Sequence, residues 1–364
     1  MLIAKIKRTN TVLFFIFLII VGLYYGSTFL IPFTFAVFFS TLVVPFSNFL
    51  EKKAGFGRIL SSFVSTLILF LGIGILMFLL FRQLEVFVRD IVERRVEIME
   101  FLVVLQEELV ILTGFTTNQQ VALIEDSLGG ILNFFQGLLR RLITNLSGII
   151  GKFLLILIYV FLLLINRNKF EDFIIRYVSD DRKVKVYKIL EATQQVAHKY
   201  LWGRIQVMFI LGIMYSITFF AYGLEHALLL IIFGVIITVI PYIGPFISGV
   251  LPVLFMIIFG GSTLEIVSFT FIVLVIQLIE SYVAEPIIIG SEVQQSPLFV
   301  IIAIILGGII WGLPGMILFV PIFAILKIIF DNSKQLKPVG YLIGYERPDE
   351  KAGFFDKMKK KLKK

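Results

Sequence analysis

Apolar residues run in blocks of about twenty along most of this chain, and charged residues gather between the blocks. A helix needs roughly 20 consecutive apolar residues to cross a bilayer. Uninterrupted blocks near that length cover 11–31, 33–50, 59–81, 146–165, 205–222 and 265–283. Two longer blocks, 227–259 and 298–329, are interrupted near their centres. The pattern predicts an all-α polytopic membrane protein with about eight hydrophobic segments. Lys5, Lys7 and Arg8 precede the first block, as in a signal peptide. The block is too long for one and no small-residue cleavage site follows, so a retained span is expected.

The interruptions carry the most information. Block 227–259 has Pro241, Gly244 and Pro245 at its middle; block 298–329 has Gly312, Pro314 and Gly315. An interior proline removes a helix hydrogen bond and collides with the preceding turn. In lipid no water rescues the freed backbone, so broken helices survive only in protein or beside a cavity. Each block divides into two arms of 14 residues. Such an arm is about 21 Å long, short of the roughly 30 Å hydrocarbon core. Two short arms joined by a Pro/Gly tip make a re-entrant helical hairpin. Each broken block follows an intact one, so the second half reads as an inverted repeat of span plus hairpin. Secondary transporters are often built this way, with broken helix ends near the midplane. The competing arrangement lets each broken block cross once as a kinked helix. Charge does not choose between them, because 260–264 and 284–297 contain no Lys or Arg.

Basic residues orient the spans. Lys5, Lys7 and Arg8, then Lys52, Lys53 and Arg58, then the tail KMKKKLKK all belong on the cytoplasmic side. So does 167–204, with nine basic residues against five acidic. Segment 82–145, with six basic against nine acidic, belongs outside. Both termini are then cytoplasmic. The expected domains are three spans in 1–81, an extracytoplasmic amphipathic helical region in 82–145 and a span in 146–166. A cytoplasmic amphipathic linker in 167–204, a transport core in 205–330 and a basic tail in 331–364 follow. Region 82–145 alternates charge and apolar positions at helical spacing, as a surface helix or an oligomer contact would. Lys169 to Leu201 is expected to pack under the bundle, with Arg182, Lys183, Lys185 and Lys188 near lipid headgroups or in solvent.

Candidate chemistry is sparse. The chain has no cysteine and two histidines, His198 and His226. That leaves no thiolate metal site and argues against a Ser-His-Asp triad or a zinc centre. No P-loop is present, so no cofactor, ATP-driven step or enzyme activity is expected. The net charge of +8 follows membrane topology rather than nucleic-acid binding. From Ile205 to Leu326 there is no Lys or Arg, and the acids are Glu225, Glu265, Glu280, Glu285 and Glu292. Carboxylates inside a membrane are costly and are functional candidates. Glu280 and Glu285, in QLIESYVAEPIIIG, are candidates for ion coupling; the plainer alternative places them hydrated at the interface, capping or cross-linking helices. Gln277 is a bundle hydrogen bond or a ligand contact, and Trp311 a packing residue or interface anchor.

At these positions the chain resembles the autoinducer-2 exporter (AI-2E) family of PerM-like permeases. PYIGPFISGVLP, EPIIIGSEVQQSPL and GGIIWGLPGMILFVPIFAILKIIFD carry the resemblance. The family's P-x-I-G-P falls on Pro241, Ile243, Gly244 and Pro245. Its E-P-x-x-x-G falls on Glu285, Pro286 and Gly290. Its W-G-x-P-G-x-x-x-x-x-P falls on Trp311, Gly312, Pro314, Gly315 and Pro321. Ser296 stands before Pro297, where many members carry His. The resemblance implies an inner-membrane secondary transporter and an oligomer, a pentamer, with an elevator-like motion. Its substrate would be a small polar solute. Unpaired N–H and C=O groups at the half-helix ends make Pro241, Gly244, Pro245, Gly312, Pro314 and Gly315 the candidates to bind it; the alternative is that they only set the hairpin geometry. Sodium(lithium)/proton antiport is the alternative, with a monovalent cation as partner. A membrane scaffold or sporulation-type interaction protein is the third.

Overall fold

The computed structural model describes residues 2–93, 143–259, 261–289 and 295–345, with isolated positions between 130 and 141. Most of the amphipathic region expected over 82–145 lies outside the described residues, as do Gly290, Glu292 and the tail beyond 345. The described chain is helical, without strands; a lone antiparallel bridge joins Gln295 to Gly344. The protein is an all-α polytopic membrane protein, and six of its helices are long and apolar enough to cross a bilayer.

Helix α1 is Leu2–Tyr25, α2 Ser27–Lys52, α3 Arg58–Glu93, α4 Leu146–Ile165, α5 Arg167–Arg176 and α6 Asp180–Ala221. Then come α7 Ala227–Ile237, α8 Ile243–Ile258 and α9 Thr263–Ile279, which runs on through a π turn, Glu280–Ala284, and a last helical turn, Glu285–Ile288. Helices α10 Pro297–Trp311, α11 Leu313–Asp331 and α12 Lys337–Ile343 complete the described chain. Several boundaries move from those expected. The first break falls at Gly26, not Pro32, because the carbonyl of Gly22 lies where a Cβ on residue 26 would sit. Span 59–81 continues into the amphipathic region as one helix, since no Gly or Pro stands between Phe81 and Glu93. Likewise the cytoplasmic charged stretch and span 205–222 are joined in the 42 residues of α6. Helix α11, at 19 residues, is longer than the 14-residue arm expected, and Lys327 bonds Asp331 one turn on (2.6 Å) in its last turn.

The chain divides into two compact units. One comprises Met1–Leu42, Leu163–Trp202 and Ile289–Lys364. In it α10 and α11 pack together through Gly307 and Gly315, whose backbones touch so closely that a Cβ on either would overlap the other. Trp311 sets its ring edge-on to Phe319 (5.3 Å) and donates its indole N–H to Leu23 O of α1 (2.9 Å). Ser296 N donates to Ile343 O (2.9 Å), which holds α12 beside the start of α10. Helix α5 buries no residue. One face of α5, at Arg167, Glu171 and Ile175, is half-buried, and the rest is exposed.

The second unit comprises Val43–Leu162 and Gly203–Ile288. Its core gathers Leu84 and Phe87 of α3, Leu211, Tyr215 and Phe219 of α6, Leu229 and Leu230 of α7, Phe255 of α8 and Phe269 and Val273 of α9. The opposite faces are apolar and exposed: Phe209, Ile213, Ile217 and Phe220 on α6, Val267, Phe271, Leu274 and Leu278 on α9. Apolar stripes on both faces are what a helix needs when protein lies on one side and lipid on the other. Helices α7 and α8 run antiparallel. His226, before α7, meets Phe259, after α8 (ring centroids 5.4 Å apart), and Gly234 faces Ser248 midway. The block 227–259 thus reverses direction at its Pro/Gly interruption.

Candidate functional site

The polar heart of the second unit is built from α6, the α7–α8 pair and α9. Helix α6 begins charged and becomes apolar at Arg204, which is only 5% exposed. A charge buried there needs a partner. Its Nη1 donates to Glu285 Oε1. Glu280 is 2% exposed, and neither of its carboxylate oxygens has a hydrogen-bond partner among the described residues. Arg204 Nε and Nη2 are also buried without hydrogen-bond acceptors.

The π turn sets how two carboxylates five positions apart share one side of the helix. In an α-helix, residues five apart sit about 140° apart around the axis, at 100° per residue. Here the N–H of Glu285 bonds the carbonyl of Glu280, the i to i+5 closure of a π turn. That closure stacks residue i+5 over residue i, as the α closure stacks i+4. Single π turns inside α-helices are frequent at functional sites.

One turn before Glu280, Gln277 Nε2 donates to Tyr215 Oη (2.6 Å) and Ser248 Oγ (3.2 Å). Tyr215 Oη donates in turn to Ser248 Oγ (3.1 Å), while Ser248 Oγ lies 3.2 Å from Pro245 O. Gly249 leaves room for this arrangement: a Cβ there would come 3.2 Å from Gln277 Nε2. The bundle hydrogen bond expected of Gln277 is present. It ties α9 to α6 and to the second arm of the α7–α8 pair, and Gln277 Oε1 is left buried without a donor.

At the interruption of 227–259, Tyr242 adopts φ 63°, ψ −52°, and Ile243 N donates to Pro241 O (2.7 Å). This is a γ-turn with positive φ, a strained conformation for a non-glycine residue. Pro241 and Pro245 bring no N–H of their own. Gly244 presents its Cα to Ile237 O and Thr238, where a Cβ would overlap. The Tyr242 phenol is half-exposed and within electrostatic reach of Glu285. The structure thus brings Pro241, Gly244 and Pro245 into the same unit as Glu280 and Glu285. The second interruption belongs to the other unit. There Gly312 takes φ 64°, ψ −142°, open in practice only to glycine; Pro314 sits in the first turn of α11, and Gly315 faces Gly307. Gly244 and Gly315 therefore have a packing role, in letting two arms touch.

Arg204, Tyr215, Tyr242 and Ser248 escape a reading of the sequence alone. Arg204 left one signal: it is the last cation before the long stretch without Lys or Arg. Glu265 caps α9 in a reciprocal box with Ser262: its Oε2 accepts from Ser262 N (2.9 Å) and Ser262 Oγ accepts from Glu265 N (3.4 Å). It is one of the capping carboxylates that the plainer alternative described.

Long apolar helices, two interrupted helical blocks and a charged cluster inside one of the units define a helical membrane protein of transporter build. The model of the AI-2E family transporter matches residues 13–335, and the chain belongs to that family. It is 26% identical to YrrI of Bacillus subtilis (strain 168) over 317 residues, covering 85% of this chain and 88% of YrrI. It is 24% identical to the AI-2 transport protein TqsA of Escherichia coli (strain K12) over 333 residues, 90% of this chain and 92% of TqsA. YhhT of the same strain is 22% identical over 330 residues, covering 91% and 92%. The protein is an AI-2E family membrane transporter.

Proposed function

We propose that this transporter carries a small polar solute out of the cell by secondary transport, with both termini cytoplasmic in an inner membrane. The two interrupted blocks act as re-entrant hairpins, each with its own tip, at 241–245 and at 312–315. The hairpin-bearing part moves elevator-fashion within an oligomer. One observation carries the reading: the strained Tyr242 turn and the buried Arg204–Glu285 pair belong to one compact unit, whose α8 arm is tied to α9 through Ser248 and Gln277. A strained turn in the same unit as buried charges fits a site that trades partners rather than a static bundle. TqsA is named an AI-2 transport protein, so autoinducer-2 is the first solute to test.

Sodium(lithium)/proton antiport is the second reading, favoured by the unpartnered oxygens of Glu280. One reconstitution separates the two. Sealed proteoliposomes holding a pH-sensitive dye receive a proton gradient and then sodium or lithium. Collapse of the gradient that needs Glu280 or Glu285 establishes antiport and removes solute export. No collapse, with autoinducer-2 flux that Tyr242→Ala abolishes, supports solute export; absence of both fluxes refutes this proposal. The re-entrant arrangement has its own test in this cysteine-free chain. It requires Ser262→Cys to label from outside and Ser291→Cys from inside; the kinked arrangement exchanges the sides.

A further inference from the structure

On α6 and on α9 with its π turn, three buried side chains have polar atoms without hydrogen-bond partners among the described residues: Arg204 Nη2 and Nε, both oxygens of Glu280, and Gln277 Oε1. Their chemistry is complementary with one component missing. Arg204 offers donors. Glu280 and Gln277 offer only acceptors, and two acceptors three residues apart on a helix are neighbours that cannot bond each other. With Arg204 and Glu285 both charged the pair is neutral, and an ionised Glu280 leaves the cluster one negative charge in excess.

We propose that Glu280 is the proton-binding site of this transporter, closed by a hydrogen bond from the Glu280 carboxyl O–H to Gln277 Oε1. The inference rests on the transporter reading only for its purpose; the binding site stands or falls separately. A proton arriving from water forms the O–H bond on one carboxylate oxygen, and its loss returns the proton to water. While it is bound, the excess charge is gone. One proton therefore supplies a donor to buried acceptors on Glu280 and Gln277 that have none among the described residues. The groups facing Glu280 are Arg204 and Tyr215 from α6 and Glu285 from its own helix; α8 contributes the uncharged Ser248 through Gln277.

The assignment divides the labour of the two carboxylates. Glu285 is a positioning residue that fixes the guanidinium. Glu280 is the group that exchanges. Gln277 reports the exchange, because its amide also holds Tyr215 and Ser248, and Ser248 belongs to the arm that follows the Tyr242 turn. Loading or unloading the proton changes what Gln277 Oε1 bonds, and so the hold of α9 on the α7–α8 pair.

The test needs no substrate. The full chain in lipid nanodiscs is titrated while infrared difference spectra are recorded. Lowering the pH should raise a protonated-carboxyl C=O band. That band should vanish in Glu280→Gln, persist in Glu285→Gln, and move to higher wavenumber in Gln277→Leu, where the O–H loses its acceptor. Glutamate labelled with carbon-13 separates the band from those of aspartate, and its shift in Gln277→Leu ties it to the neighbouring Glu280, so the result does not depend on the Glu280→Gln variant folding. No glutamate band, a band lost in Glu285→Gln but kept in Glu280→Gln, or a band unmoved by Gln277→Leu overturns the proposal. A band that behaves as expected in a protein without measurable flux leaves the proton site standing and removes the transport reading instead.

Discussion

Replacing Arg204 by Met should destabilise the second unit by more than replacing Arg204 and Glu285 together. The side chain of Arg204 is 6% exposed and that of Glu285 34%. Removing one partner of a buried ion pair costs about 3–5 kcal/mol, because the other charge is stranded. Water reaches a third of Glu285, so part of that cost is recovered, and we expect about 2–4 kcal/mol for Arg204→Met. Glu285→Gln alone should cost roughly 1–3 kcal/mol, since the amide keeps the shape but leaves the guanidinium unbalanced. The double variant removes both charges and should cost well under the sum of the singles. A coupling of about 2 kcal/mol is roughly 30-fold in the unfolding equilibrium at 1.36 kcal/mol per decade. The assay is a double-mutant cycle by reversible unfolding in mixed micelles or by steric trapping in bicelles. Single effects that add to within about 0.5 kcal/mol would show that the pair is a surface-like contact, and the reasoning about a buried charged site would be wrong.

Four further outcomes follow from the geometry. Gly315→Ala should lower the thermal midpoint, at a cost of about 1–3 kcal/mol, because its Cβ overlaps Gly307, which cannot yield. Gly312→Ala meets no neighbour and should cost only the roughly 1–2 kcal/mol of its backbone conformation. Tyr242→Gly should raise the thermal midpoint by relieving about 1 kcal/mol of strain at φ 63° while reducing flux; a lower midpoint would mean that the ring is packing rather than poised. Deleting Val283 should convert the π turn to continuous α-helix and abolish the Arg204–Glu285 coupling in the same cycle, whereas Val283→Ala should leave that coupling intact.

Most of the helical plan is legible in the chain because hydrocarbon thickness is a length rule. Apolar blocks near twenty residues are hard to mistake, and Pro241–Gly244–Pro245 and Gly312–Pro314–Gly315 mark interruptions that lipid does not tolerate without a reason. The boundaries that moved lie where nothing breaks the helix. The stretch FRQLEVFVRDIVE changes from apolar to amphipathic without Gly or Pro, so polarity changes and helix continues. The site was half legible. Rarity of charge pointed to Glu280 and Glu285, since carboxylates stand out among apolar neighbours. Rarity does not reveal pairing across 81 positions, so Arg204 was hidden among the basic residues of the linker. Ser248 and Tyr215 carry no rare chemistry at all, and only their meeting with Gln277 makes them visible.

The π turn is the step that sequence periodicity could not supply, and it decides how the two carboxylates relate. At α spacing, QLIESYVAEP places Glu280 and Glu285 on different faces, which argues for two independent roles: one inward, one toward the membrane surface. With the extra residue accommodated between them, both turn to one side of the helix, and their environments diverge for another reason. Glu285 keeps a third of its side chain in contact with the outside and takes the ion pair; Glu280 is sealed and takes none. A π closure is weaker than an α closure, and a chain that retains one against a regular helix on either side is stabilised by what the distortion brings together. Here that is an ion pair and a sealed carboxylate on one side of the helix. A pair alone would need no bulge, because the carboxylate could be moved by one position to meet Arg204 on a regular helix. The bulge is required only if both carboxylates must share that side, one fixed to Arg204 and the other left to exchange.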